Sequence, residues 1–122
     1  MQRRVLIVDD DPLIRGLITT ALEGAYKLEE AADSKQAMAA LHRRRPDLVL
    51  LDVNMPDVGG LEVLETIKST LLFAHIPVIM LTAMRAEGEV RKARSLGAAD
   101  YIAKPFDART LSDRVQRALA GT

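Results

Sequence analysis

Two adjacent carboxylates at Asp9-Asp10, a third at Asp52, a hydroxyl at Thr82 and an ammonium at Lys104 are residue types suited to chemistry on a phosphoryl group. Gathered in one place the carboxylates repel, since two unit charges about 4 Å apart cost roughly 4 kcal/mol at an effective dielectric near 20. Lys104 supplies one positive charge, and a divalent ion would balance the rest. Hard oxygen donors without histidine or cysteine favour Mg²⁺, with Mn²⁺ as an alternative. An ionised aspartate needs no general base to become a nucleophile, so it can attack phosphorus and form an acyl phosphate. The metal, the ammonium and the Thr82 hydroxyl would then share the three equatorial oxygens of the transferring group. Asp52 is the nucleophile candidate because it stands alone, whereas Asp9 and Asp10 are adjacent and suited to holding metal.

Each of these residues ends an apolar run. Val5-Leu6-Ile7-Val8 stops on Asp9-Asp10, Leu48-Val49-Leu50-Leu51 on Asp52, Val78-Ile79-Met80-Leu81 on Thr82, and Tyr101-Ile102-Ala103 on Lys104. If the runs are buried parallel strands, their shared ending lies along the carboxyl edge of a sheet, where ligand sites of open α/β sheets are found. The segments between them have helical period. Asp11 caps a helix with Pro12 at its first position and Leu13, Ile14, Leu17, Ile18, Ala21 and Leu22 on one face, ended by Gly24. Tyr26 to Ala31 is a more polar strand, as suits an edge.

Asp33 with Gln36 resembles a capping box before a helix through Ala37, Met38 and Leu41 that ends in Arg43-Arg44-Arg45-Pro46. A strand over Asp47 to Asp52 and a loop from Asn54 to Gly60 precede a helix with Leu61, Leu64 and Ile67 inward. Pro77 introduces the next strand, followed by a helix carrying Val90, Ala93, Arg94 and Leu96 and closed by Gly97. Asp107 caps the last helix, with Leu111, Val115 and Leu119 at helical spacing. Strand and helix alternate five times, which predicts an α/β fold: a doubly wound, five-stranded parallel sheet with helices on both faces and right-handed crossovers.

At 122 residues the chain has room for one domain and one core. Aromatics are only 3% against 48% hydrophobic residues, so the core is aliphatic. Seventeen basic and seventeen acidic residues cancel, and the overall charge favours neither nucleic acid nor an anionic membrane. Without cysteine there are no disulfides, thiolate metal sites or thiol nucleophiles. The apolar run after Met1-Gln2-Arg3-Arg4 is too short for a signal peptide, and no stretch approaches the roughly 18 apolar residues of a membrane span. A cytoplasmic protein without a membrane partner is expected.

Four segments together resemble the receiver domain of two-component response regulators, of the single-domain chemotaxis-regulator type. They are Val5 to Asp11, Leu50-Leu51-Asp52-Val53-Asn54-Met55-Pro56, Met80-Leu81-Thr82-Ala83, and Gly97 to Phe106. The resemblance implies a flavodoxin-like sheet of strand order 2-1-3-4-5 and a non-enzymatic signalling role. Asp52 would accept a phosphoryl group from a histidine kinase or phosphotransfer protein. Asp10, Asp52 and the backbone carbonyl of Asn54 are similar to direct Mg²⁺ ligands, and Asp9 to a ligand through water. Thr82, Ala83 and Lys104 match the phosphoryl-binding positions, and Tyr101 the aromatic side chain that reorients as the threonine is drawn inward. The resemblance also implies a cis bond between Lys104 and Pro105, and a homodimer surface on the fourth helix, fifth strand and last helix. Residues 1–122 would form one receiver domain with no output domain and no direct nucleic-acid contact. The chain would dock a downstream target itself or form part of a longer regulator.

Val58-Gly59-Gly60 departs from the family's usual pattern, and Asn54 and Met84 occupy positions that tune phosphoryl lifetime. Two other functions compete. A Mg²⁺-dependent phosphatase with an aspartate nucleophile often has a second acid two residues on, where this chain has Asn54. A flavin-binding module would need donors where these acids stand. Asp11 is explained by capping alone, and Arg43-Arg44-Arg45 by a solvated helix end whose dipole favours cations. His42 and His75 have no metal-ligand spacing, and the five methionines read as core filling.

Overall fold

The computed structural model describes residues 2–83 and 87–121; Met84 lies outside them. In chain order the elements are β1 (Arg4–Val8), α1 (Pro12–Leu22), β2 (Lys27–Ala31), α2 (Ser34–Arg43), β3 (Leu48–Asp52), α3 (Gly60–Ser69), β4 (Val78–Thr82), α4 (Glu87–Ser95), β5 (Asp100–Ala103) and α5 (Ala108–Ala120). All strand pairs are parallel, in the order β2-β1-β3-β4-β5. This is the flavodoxin-like arrangement that the family resemblance implies. Among the described residues no helix is long and apolar enough to cross a membrane.

Alternation along each strand divides the core between the two faces of the sheet. Leu6, Val8, Val49, Leu51, Val78 and Met80 turn toward α2, α3 and α4, meeting Leu41, Leu64, Ile67 and Ala93. Val5, Ile7, Leu48, Leu50, Ile79 and Leu81 turn toward α1 and α5, meeting Ile18, Leu22, Leu111, Val115 and Leu119. Every residue of β3 and β4 is buried, which is why those strands read as unbroken apolar runs. The edge strand β2 buries only Ala31 fully.

The helix caps fall where the sequence puts them. Asp11 Oδ1 accepts the Leu13 N–H at 2.9 Å, Asp33 Oδ1 that of Gln36 at 2.8 Å, and Asp107 Oδ1 that of Thr110 at 2.7 Å. Gln36 reaches back, but to the N–H of Ala32 (2.8 Å), one residue before the cap. Gly24 and Gly97, at φ 85° and 102°, end α1 and α4 in the left-handed region.

Leu13 and Leu17 correct the sequence reading of α1. They are 77% and 60% exposed, while Ile14, Ile18, Ala21 and Leu22 form the stripe that meets the sheet. Each leads a stripe residue by one position, or about 100° around the helix, so apolar character there outruns the buried face. Tyr26 and Asp47 likewise precede their strands.

The Val58-Gly59-Gly60 segment has a clear steric reason. The Gly60 N–H donates to the Val53 carbonyl at 2.8 Å, and a Cβ on Gly60 would lie 1.9 Å from the Asp52 carbonyl oxygen. Only glycine permits α3 to begin against the end of β3.

Candidate functional site

Register brings the polar strand ends level. Val8 is opposite Leu51, so Asp9 and Asp52 leave adjacent strands together. Asp52 is opposite Leu81, and Thr82 opposite Ala103, placing Lys104 one residue beyond. The carboxylates of Asp9, Asp10 and Asp52 offer oxygens that lie within 4.8 Å of one another. Asp9 and Asp52 are buried and Asp10 is exposed, so the cluster opens to solvent on one side.

Lys104 is the internal counter-charge. Its Nζ donates to Asp9 Oδ2 at 2.7 Å and to Asp52 Oδ1 at 3.4 Å, and its side chain is only 16% exposed. Burial disfavours the ammonium, but its hydrogen bonds and charge attraction to the two carboxylates outweigh burial and raise its pKa. Asp52 is pushed up to about 6 by burial and by the negative charge of Asp9, against the opposing pull of Lys104 and the Asn54 N–H. Asp9 Oδ1 also accepts the Asp11 N–H at 2.9 Å.

Among the described residues, three carboxylates surround one ammonium, which leaves negative charge in excess, and every carboxylate donor is a hard oxygen. That set fits a small divalent cation of the Mg²⁺ type. Asn54 is exposed at the rim, its N–H 3.3 Å from Asp52 Oδ1.

Beyond the carboxylates, Thr82 is fully buried at the end of β4 and Ala83 is exposed immediately after it. The hydroxyl of the half-buried Tyr101 hydrogen-bonds with Thr82 and lies 3.3 Å from Glu89 Oε1. Burial raises the Tyr101 pKa, the Thr82 bond opposes that, and the Glu89 charge adds to it. The Lys104-Pro105 bond is cis.

Several residues at this end escape sequence reading. Arg15 NH1 donates to the Asp9 carbonyl (2.6 Å) and its Nε to Glu30 Oε1 (2.9 Å). Ser34 Oγ donates to Asp57 Oδ2 at 2.5 Å, which lowers the Asp57 pKa. The one signal for Arg15 is a cation near a helix amino terminus, where the dipole disfavours it. Ser34 and Glu89 carry no such signal.

The arginine run and His42 lie elsewhere. Arg43 pairs with Glu29, Arg44 caps α2 in extended conformation, and His42 packs edge-on against Phe73 at 5.0 Å.

A family model described as the response regulator receiver domain matches residues 5–116. The phosphate regulon transcriptional regulatory protein PhoB of Pseudomonas aeruginosa is 42% identical over 121 residues, covering 98% of this chain and 53% of that protein. The DNA-binding dual master transcriptional regulator RpaA of Synechocystis is 38% identical over 120 residues, covering 98% and 50%. The chain thus spans about half the length of the curated relatives it matches. Among solved structures, a putative response regulator from Chloroflexus aurantiacus superposes with a TM-score of 0.93 at 31% identity, covering 98% and 99% of the two chains. The Vibrio cholerae chemotaxis protein CheY4 gives 0.91 at 32% identity, covering 97% and 99%.

Proposed function

This chain belongs to the response regulator receiver domain family, a signalling module of two-component systems rather than a catalytic enzyme, and on that premise we propose that it is a switch thrown by phosphorylation of Asp52. The donor would be the phosphohistidine of a histidine kinase, the partner that a receiver implies, or of a phosphotransfer protein. What carries the reading is the Lys104 ammonium shared by Asp9 and Asp52, with Asp10 close enough to complete an acidic pocket.

An oxygen of the Asp52 carboxylate attacks phosphorus, the phosphorus–nitrogen bond to the donor imidazole breaks, and the bonding pair leaves with the ring. The product is an acyl phosphate on Asp52. With its pKa near 6, Asp52 is mostly ionised at neutral pH and needs no base to activate it. Asp9, Asp10, Asp52 and the Asn54 carbonyl would hold Mg²⁺, which when bound neutralises charge on the transferring oxygens. Lys104, already at Asp52 Oδ1, stays beside the new phosphoryl group and balances its charge. The Ala83 backbone, next to Thr82, would serve the same oxygens.

The Thr82 hydroxyl then turns from Tyr101 to the phosphoryl group. Tyr101 is left to reorient, and the face of α4, β5 and α5 changes shape for a downstream target protein or a second copy of the chain. Residues 1–122 act in this reading as one receiver domain in the cytoplasm, signalling through protein contact. PhoB and RpaA are named as transcriptional regulators; for this chain, no direct contact with nucleic acid is proposed.

The test is incubation with Mg²⁺ and a small acyl phosphate, followed by intact mass measurement of wild type and Asp52→Asn. One added phosphoryl group that is absent from the variant supports the switch. Steady turnover of unrelated phosphate esters would instead indicate the phosphatase.

A further inference from the structure

We propose that the turn between β2 and α2 is a bracket that sets the acidic pocket from outside, with Arg15 and Ser34 as its positioning residues. The inference rests on the reading of that pocket as a Mg²⁺ site. Asp9 has both of its main-chain polar groups tied to this side of the molecule. Its N–H donates to the carbonyl of Ala31, the last residue of β2, at 3.1 Å. Its carbonyl accepts from Arg15 NH1 at 2.6 Å, while Arg15 Nε is held by Glu30, one residue earlier on β2. The planar guanidinium donates in two fixed directions, and the Arg15 side chain is only 17% exposed.

The other loop of the pocket is tied to the same turn. Ser34, the first residue of α2, is buried and donates to Asp57, three residues beyond Asn54. That loop is also fixed where it leaves β3 and enters α3, through the Gly60 N–H and the Val53 carbonyl. The turn itself is stiffened by Asp33 and Gln36, which take the N–H groups of Gln36 and Ala32. Hence the Asp9-Asp10 segment and the Asn54 segment share one reference point. Arginine has no lone pair to offer a cation, and the Ser34 hydroxyl is engaged by Asp57, so both residues act through the chain segments they hold in place.

Positioning and electrostatics predict opposite signs, which makes the proposal testable. Removing the Arg15 cation lessens repulsion of Mg²⁺ and would tighten binding if charge alone mattered. The bracket requires weaker binding. Mg²⁺ dissociation constants are measured on chelator-treated wild type, Arg15→Ala, Arg15→Lys and Ser34→Ala by following the Asp10 and Asn54 amides by NMR, with thermal melts confirming that each folds. Arg15→Ala and Ser34→Ala are expected to bind about ten-fold more weakly. Arg15→Lys, which keeps the charge but lacks the two-way fork, is expected to be weaker than wild type. Unchanged or tighter binding by Arg15→Ala, or wild-type affinity in Arg15→Lys or Ser34→Ala, overturns the bracket. Failure of the wild type to bind Mg²⁺ would sink the metal reading itself.

Discussion

Lys104 is the residue on which the carboxyl edge turns. Its ammonium is held between two buried carboxylates, and Asp9 has no exposed surface. Replacing Lys104 with Met keeps most of its bulk but strands both charges, and removing one partner of a buried ion pair costs about 3 kcal/mol or more. Urea melts of Lys104→Met in chelator should show that loss. Added Mg²⁺ should recover part of it, because a divalent ion supplies the missing positive charge; a midpoint equal to wild type would contradict this account. Asp9, Asp10, Asp52, Thr82 and Lys104 were legible in the sequence because each follows an apolar run, and parallel strands bring such endings to one edge. Arg15, Ser34 and Glu89 were not. They sit on helices, and which helical side chain reaches a strand end depends on how each helix lies across the sheet.

At the scale of elements, two glycines make opposite predictions. Gly60→Ala places a methyl group 1.9 Å from the Asp52 carbonyl oxygen, so β3 and α3 must separate. A drop in thermal stability and loss of Mg²⁺-dependent labelling of Asp52 are expected together. At Gly88, in the first turn of α4, an added Cβ meets none of the described residues within 4 Å. Gly88→Ala should stabilise the protein by about 0.5–1 kcal/mol and slow amide exchange in α4. Lys68 stitches α3 to the chain that follows, its Nζ donating to the carbonyls of Ala74 at 3.0 Å and Ile76 at 2.6 Å. Burial lowers its pKa from 10.5, so the folded state binds the proton less tightly than the unfolded chain does. The resulting stability is fully present above 10.5 and is lost as pH falls through the lowered folded value. Between the lowered folded value and 10.5, wild type should therefore gain stability relative to Lys68→Met as pH rises, read from paired denaturation curves. The elements were foreseeable from caps and periodicity. The facing of α1 was not, because Leu13 and Leu17 extend its apolar arc past the surface the sheet can cover.

The whole molecule is two aliphatic cores separated by one sheet. Leu64 belongs to one and Leu111 to the other, both fully buried. Each change to Ala should cost about 2–5 kcal/mol. With the sheet between them, the double variant should lose the sum within about 0.5 kcal/mol, as for sites without shared partners. Strong non-additivity in urea midpoints would show the cores to be coupled. Alternating strands and helices sufficed to foresee the doubly wound sheet, since buried parallel strands and their crossovers leave few other arrangements. The strand order needed the family resemblance, because the apolar runs are interchangeable in composition. The lysine shared by Asp9 and Asp52 has a consequence at this scale as well. A pocket that carries its own placeholder cation is already built before any ion arrives. A fall in divalent ion around the protein would therefore leave that pocket formed and remove only the stability that binding of the ion adds.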